Sequence, residues 1–293
     1  MSQSKATKKY KKRSPLQDVW MRLRKNKAAM LGAVFILVLI FLMLFADVIY
    51  NYEEDVIKQN IPERLLAPCW EHPFGTDEYG RDLLVRMIYG TRASLPVGFV
   101  AVLIGLLVGV VFGSAAGFFG GKVDNVLMRI MDIFGALPSV LLAIAIVAVM
   151  GEGVLSLMLA VGIASVPAFS RIVRAAVLSV RNQEFVESAR AIGKNSWEII
   201  FEHILPNCLS PIIVQVSLKI GSAIILASGL SYLGLGVQAP TPEWGALLSA
   251  GRNYMRDHSN LTLFPGLVIM VTVIAFNMVG DGLRDAMDPK LKR

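Results

Sequence analysis

No residue between Ala28 and Ala46 carries a charge, and the same holds from Ser94 to Gly121, Ile133 to Met150, Val154 to Phe169 and Leu261 to Gly280; the run from Ser210 to Gly236 admits one, Lys219. Such runs match the roughly 20 apolar residues that a helix needs to cross a bilayer. Charged residues are only 17% of the chain and fall in clumps between the runs, and the mean hydropathy is +0.58. The pattern predicts an all-α integral membrane protein with six transmembrane helices. The first run is too long for the core of a cleaved secretory signal and no small-x-small site follows it, so it reads as a retained anchor.

The polar segments set the orientation. Residues 1–27 hold ten Lys and Arg against one acid, Asp18. Residues 1–14 read as a disordered basic arm, and Asp18 to Lys27 as a basic helix lying on anionic lipid with Val19, Trp20 and Leu23 toward the acyl region. With six spans, segments on the N-terminal side carry ten, two, five and four Lys and Arg, and those opposite carry five, none and two. Positive residues collect on the cytoplasmic side, which puts both termini there. The same asymmetry accounts for the net charge of +7. With no aromatic interleaving, that charge does not indicate nucleic acid. Cys69 and Cys208 fall on opposite faces, excluding a disulfide between them, and His72, His203 and His258 are too scattered to form a metal site.

Several features carry packing or chemistry. Gly105, Gly109, Gly113 and Gly117 recur every four residues in the second run, a smooth ridge on which a core helix or a second subunit can pack closely. Gly120-Gly121-Lys122-Val123 fails as a phosphate-binding loop, because Ala116 stands where the first glycine belongs and Val123 where the hydroxyl belongs. No other such loop exists, so ATP-driven work requires another subunit. Pro138 and Pro167 predict kinks, serving either a gate or static packing. Lys219 must face protein or water, or snorkel to an interface. Leu83, Leu84, Met87 and Ile88 share a helical face, which reads as an amphipathic interfacial helix before the second span, its apolar side on the membrane surface or on a neighbouring helix. Pro240 and Pro242 end the fifth span, and Trp244 suits the membrane interface.

The polar stretch from Glu187 to Pro206 lies between apolar runs. A helix from Gln183 to Ile192, a left-handed stop at Gly193 and a second short helix capped by Ser196 would form a protruding knob. The pattern Glu187-Ser188-Ala189, three residues, Gly193, then Ile204-Leu205-Pro206 resembles the EAA loop of bacterial ABC importer permeases, with Ser188 and His203 as mild departures. Two further strings, His72 to Asp82 and Leu230 to Gly245, resemble the peptide and nickel branch; that branch often has an acid where Ala227 stands. The resemblance spans roughly residues 70–290.

It implies a type I ABC importer permease fold whose EAA loop, residues 182–206, is a cytoplasmic coupling helix. The implied division is a basic arm (1–27), a first transmembrane helix (28–50), an extracytoplasmic segment (51–92), a five-helix core (93–284) and a cytoplasmic tail (285–293). The implied partners are a homologous permease, two cytoplasmic ATPase subunits that bind the ATP and magnesium, and an extracytoplasmic binding protein, all in a bacterial inner membrane. The chain itself is then a non-catalytic subunit with no cofactor. Glu187 would make charge-assisted hydrogen bonds, Ser188 and Ala189 would allow close approach, Gly193 would set the turn, and Trp197 or Ile200 would anchor the docked surface, with Arg190, Ala191 and Ile192 completing the contact. Di- or oligopeptide is the expected solute, with nickel or a metal chelate as the alternative. An ion-coupled secondary transporter would show inverted repeats or buried coupling carboxylates, and neither is evident; a membrane scaffold would make the EAA pattern coincidental.

Overall fold

The computed structural model describes residues 15–287. The expected arm at 1–14 and the end of the tail lie outside them. Among the described residues the chain is almost wholly helical: α1 (Pro15–Leu23), α2 (Lys27–Ile49), α3 (Leu83–Phe119), α4 (Gly121–Ala136), α5 (Ser139–Met150), α6 (Val154–Val180), α7 (Glu184–Ala191), α8 (Ser196–Glu198), α9 (Leu205–Tyr232), α10 (Trp244–Gly251) and α11 (Asn260–Met287). A π-helical turn, Ile199–Ile204, joins α8 to α9. Five helical stretches are long and apolar enough to cross a membrane, and the bent pair α4–α5 makes a sixth when counted as one span.

The centre of the bundle is the crossing of α3 on α6. A Cβ at Gly109 would sit 2.5 Å from the Cβ of Phe169, one at Gly113 would sit 2.5 Å from the Ser170 carbonyl, and one at Gly117 would sit 2.9 Å from the Cβ of Val177. Gly105 meets Ser165 and Gly162 in the same way. The glycine ridge is therefore spent within the chain, on backbone contact between two spans. α9 packs on α3 where Gly98 faces Ile224, and α2 packs on α11 where Gly32 faces Ala275.

Three expectations are corrected. The apolar face of Leu83 and Met87 does not belong to a separate interfacial helix: Asp82 accepts the Val85 N–H at 2.9 Å, caps a helix of 37 residues, and the span runs unbroken from there. Both side chains are buried within the chain. The third run is not a kinked helix but two helices meeting at 87°. Pro138 forces Leu137 into an extended conformation, which ends α4, and α5 begins after it. Trp244 is not interfacial. It is fully buried, its indole N–H donating to the Met87 carbonyl at 3.0 Å, and the lack of a side chain at Gly90 makes room for its ring.

Candidate functional site

α3 connects two differently built ends. At its N-terminal end, residues 51–82 form a cap. Gly75 and Gly80 adopt positive φ of 79° and 73°, and a Cβ at Gly80 would lie 1.8 Å from the Asn60 carbonyl oxygen, so the turns of this cap need glycine. Asp77 is buried, accepts the Tyr79 and Arg81 N–H groups at 2.9 and 3.0 Å and pairs with Arg81 Nε at 2.7 Å. Arg86, one turn into α3, reaches across to the Val56 carbonyl at 3.0 Å. Nearby, Glu243 is buried; it accepts from Ser94 Oγ, Gly245 N–H and Ala246 N–H at 2.9–3.0 Å and thereby caps α10. These bonds offset the cost of desolvating the carboxylates. The motif from His72 to Asp82 is therefore the bonded framework of the cap.

At the other end of α3, α7 and α8 form the knob. α7 closes in a Schellman turn: the Lys194 N–H bonds the Ala189 carbonyl at 3.2 Å and the Gly193 N–H bonds that of Arg190 at 3.0 Å. Gly193 stands at φ 84° with nothing near its absent side chain, so the turn uses glycine for its left-handed backbone. The second helix is capped by Asn195, one residue before the expected Ser196. Asn195 accepts the Glu198 N–H at 2.9 Å while Glu198 accepts the Asn195 N–H at 3.1 Å. That reciprocal pair is a capping box, legible in the spacing Asn195-x-x-Glu198. Lys194 pairs with Glu202 and ties the turn to the π-helical segment.

The expected contact residues divide into two sets. Ala189 and Ile200 face inward, packed with Val186, Ile199 and Ile204 against Phe118, Val173 and Val177. Ile200 is fully buried, so it supports the knob and is not an anchor for a partner. Glu187, Ser188, Arg190, Ala191, Ile192, Gly193 and Trp197 are exposed. Ile192 leaves 75% of its surface uncovered and Trp197 46%. Ser188 Oγ donates to the Glu184 carbonyl at 2.8 Å, and the Arg190 guanidinium lies 5.1 Å over the Phe118 ring. Trp197 stands edge-on to Phe119 at 6.0 Å and beside Phe201 at 6.1 Å. Phe119 and Phe201 extend the apolar surface beyond what the motif indicates. They become neighbours only because α3 ends beside the knob. Arg174 makes a bidentate bond to Asp124 at 2.5 and 2.6 Å and fixes α4 against α6 next to the knob.

Residues 109–293, which include the knob, match the family model described as the binding-protein-dependent transport system inner membrane component. The chain belongs to that family. Residues 14–68 match the N-terminal TM domain of oligopeptide transport permease C. This permease is 47% identical to the dipeptide transport system permease protein DppC of Alkalihalophilus pseudofirmus, over 95% of its own length and 91% of the relative's. It is 43% identical to the glutathione transport system permease protein GsiD of Pectobacterium atrosepticum, over 96% and 93% of the two chains. Its fold matches an inward-facing structure of the MetNI methionine ABC transporter with a TM-score of 0.57 at 16% identity, covering 69% of this chain and 97% of that one. The permease is thus a membrane subunit of an ABC importer with the type I permease fold.

Proposed function

We propose that this permease and a homologous partner form the path by which di- or oligopeptides are imported, and that residues 182–206 couple the path to two cytoplasmic ATPase subunits that bind ATP and magnesium. An extracytoplasmic binding protein delivers the solute, and both termini face the cytoplasm of a bacterial cell whose inner membrane holds the assembly. The peptide assignment is supported by the relatives named for dipeptide and glutathione transport, the latter solute being itself a tripeptide. The coupling role rests on one observation: the knob has a buried apolar core of its own, yet leaves Ile192 and Trp197 uncovered at its tip and flank. A rigid body with an unsatisfied apolar surface is a docking element, and a hydrophobic anchor amid charged neighbours is the usual form of a binding hot spot. Closure of the ATPase pair on such a body tilts α9, which continues directly from α8 through the π-helical turn.

The test is ATP-driven uptake of a labelled dipeptide into proteoliposomes holding the full assembly. An Ile192→Asp, Trp197→Ala variant is expected to retain the folded membrane domain and lose most of both uptake and solute-stimulated ATP hydrolysis. Unchanged stimulation in that variant would refute the coupling role, and uptake driven by an ion gradient without ATPase subunits would replace the importer reading with a secondary transporter.

A further inference from the structure

The apolar side of α1 is already occupied. Leu23 is buried and, with Val19, packs on Ala29 at the start of α2 and on Leu283 and Ala286 near the end of α11. This reverses the expectation that Val19 and Leu23 face lipid. A Cβ at Gly282 would fall 2.4 Å from the Cβ of Ala29 and 3.0 Å from a methyl of Leu23, so the α1–α2 corner sits directly on the backbone of α11. What α1 turns outward is Trp20, 56% exposed, followed by the half-buried Arg22 and the exposed Arg24, Lys25 and Lys27 around the turn into α2. None of these four cations lies within ion-pair distance of a described carboxylate. Beside them is a groove of about 310 Å³ lined by Arg22, Lys25, Asn26, Gly282, Asp285 and Ala286.

We propose that this groove binds the headgroup of an anionic glycerophospholipid. Arg22 and Lys25 donate to the phosphodiester oxygens. Asp285 accepts from a headgroup hydroxyl, and Asn26, whose Oδ1 already holds the Ala29 N–H at 3.1 Å, offers its free amide N–H. Trp20 lies at the boundary between headgroups and acyl chains, the position its amphipathic ring favours. The placement singles out lipid over a soluble acidic partner. The turn is followed immediately by α2, a span with no charge after Lys27 and before Asp47, so the cations stand where the chain enters the bilayer. The excess of Lys and Arg over acid in residues 1–27 adds an attraction toward the same surface, each basic group near an anionic membrane contributing about 1 kcal/mol.

The inference goes beyond the transport reading and does not depend on it. The full-length permease is reconstituted in phosphatidylcholine vesicles containing an increasing mole fraction of either dibrominated phosphatidylglycerol or dibrominated phosphatidylcholine. The Trp20 signal is taken as the difference between wild type and Trp20→Phe. Brominated phosphatidylglycerol is expected to quench that signal at about a tenfold lower mole fraction than brominated phosphatidylcholine. The preference should vanish in Arg22→Gln, Lys25→Gln and return in Arg22→Lys, Lys25→Arg, which keeps the charge. Equal quenching by the two lipids would overturn the proposal, as would a preference that survives the glutamine substitutions. Relief of quenching by excess inorganic phosphate would also overturn it, by marking a soluble-anion site.

Discussion

The two ends of α3 solve opposite problems. The cap side holds a set of polar groups inward: Asp77, Arg81 and Glu243 are all buried and all bonded within the chain. The knob turns apolar groups outward, with Ile192, Trp197 and Phe201 each at least 46% exposed over a core of Val186, Ile199 and Ile200. Burying a polar group is tolerable only when its bonds are complete, whereas leaving large apolar groups in water is unfavourable unless something later covers them. The buried polar groups of the cap are thus satisfied within this chain, with Trp70 its one nearly bare apolar side chain, whereas the knob carries a cluster of uncovered apolar groups of the kind that the proposed docking would cover.

Two tryptophans differ most between the ends. Trp244 in the cap region is fully buried and hydrogen-bonded, while Trp197 on the knob is half uncovered. Trp244→Ala is expected to destabilise the purified permease by about 3–5 kcal/mol through the cavity it leaves. Trp197→Ala should stay within about 0.5 kcal/mol, as exposed substitutions usually do. Thermal unfolding in detergent measures both; similar losses would mean that the knob surface is structural and not reserved for a partner.

Two glycines divide in the same way. Gly109→Ala forces a Cβ to within 2.5 Å of the Cβ of Phe169 and 3.0 Å of the Ser170 nitrogen, and overpacking of this kind costs about 1–3 kcal/mol. Gly193→Ala meets no atom within 4 Å and suffers only from its φ of 84°, a penalty of about 1 kcal/mol. The first variant should lose midpoint temperature in the isolated permease. The second should show its main defect in stimulation of ATP hydrolysis once the ATPase subunits are present, and a loss confined to the isolated permease would count against the docking role.

The difference between the ends also explains what the sequence discloses. The glycine ridge was legible because backbone contact leaves a strict period, and Gly193 because a left-handed helix stop leaves little choice of residue. The spans were legible because lipid tolerates few charges. The inward turn of Ile200 was not, since apolar residues at 199, 200 and 201 lie on different sides of the helix and only the packing of α3 and α6 decides which side is covered. Burial of Trp244 was equally hidden: the carbonyl that accepts its N–H belongs to Met87, which lies 157 positions away in the chain. The 87° break before α5 is hidden for a different reason, because an apolar run that continues through Pro138 has the pattern of one span whether the helix kinks or restarts.

The smallest expected effect lies at the edge of the cap, where closure depends on protonation. His72 Nδ1 is 2.7 Å from Asp82 Oδ2 and its Nε2 is 3.5 Å from Glu63 Oε2, while Asp82 also caps α3. The hydrogen bond to Asp82, and after it the attraction of both carboxylates, outweighs partial burial and raises the imidazole above its ordinary 6.5. A group whose folded pKa is raised stabilises the protein fully at pH below its unfolded pKa, and the contribution is lost as pH rises through the folded value. Cap stability should therefore decline modestly from about pH 6.5 upward, by no more than about 1 kcal/mol for a pair this close to solvent. His72→Gln should flatten that decline, and hydrogen exchange across residues 60–85 should register it while the knob, whose turn is closed by backbone bonds and a Lys194–Glu202 pair that both stay intact above pH 6, remains unchanged. A wild-type cap that instead gains protection as pH rises would show that Asp82 holds α3 better when the histidine is neutral, and that the imidazole is a tenant of the cap and not one of its fasteners.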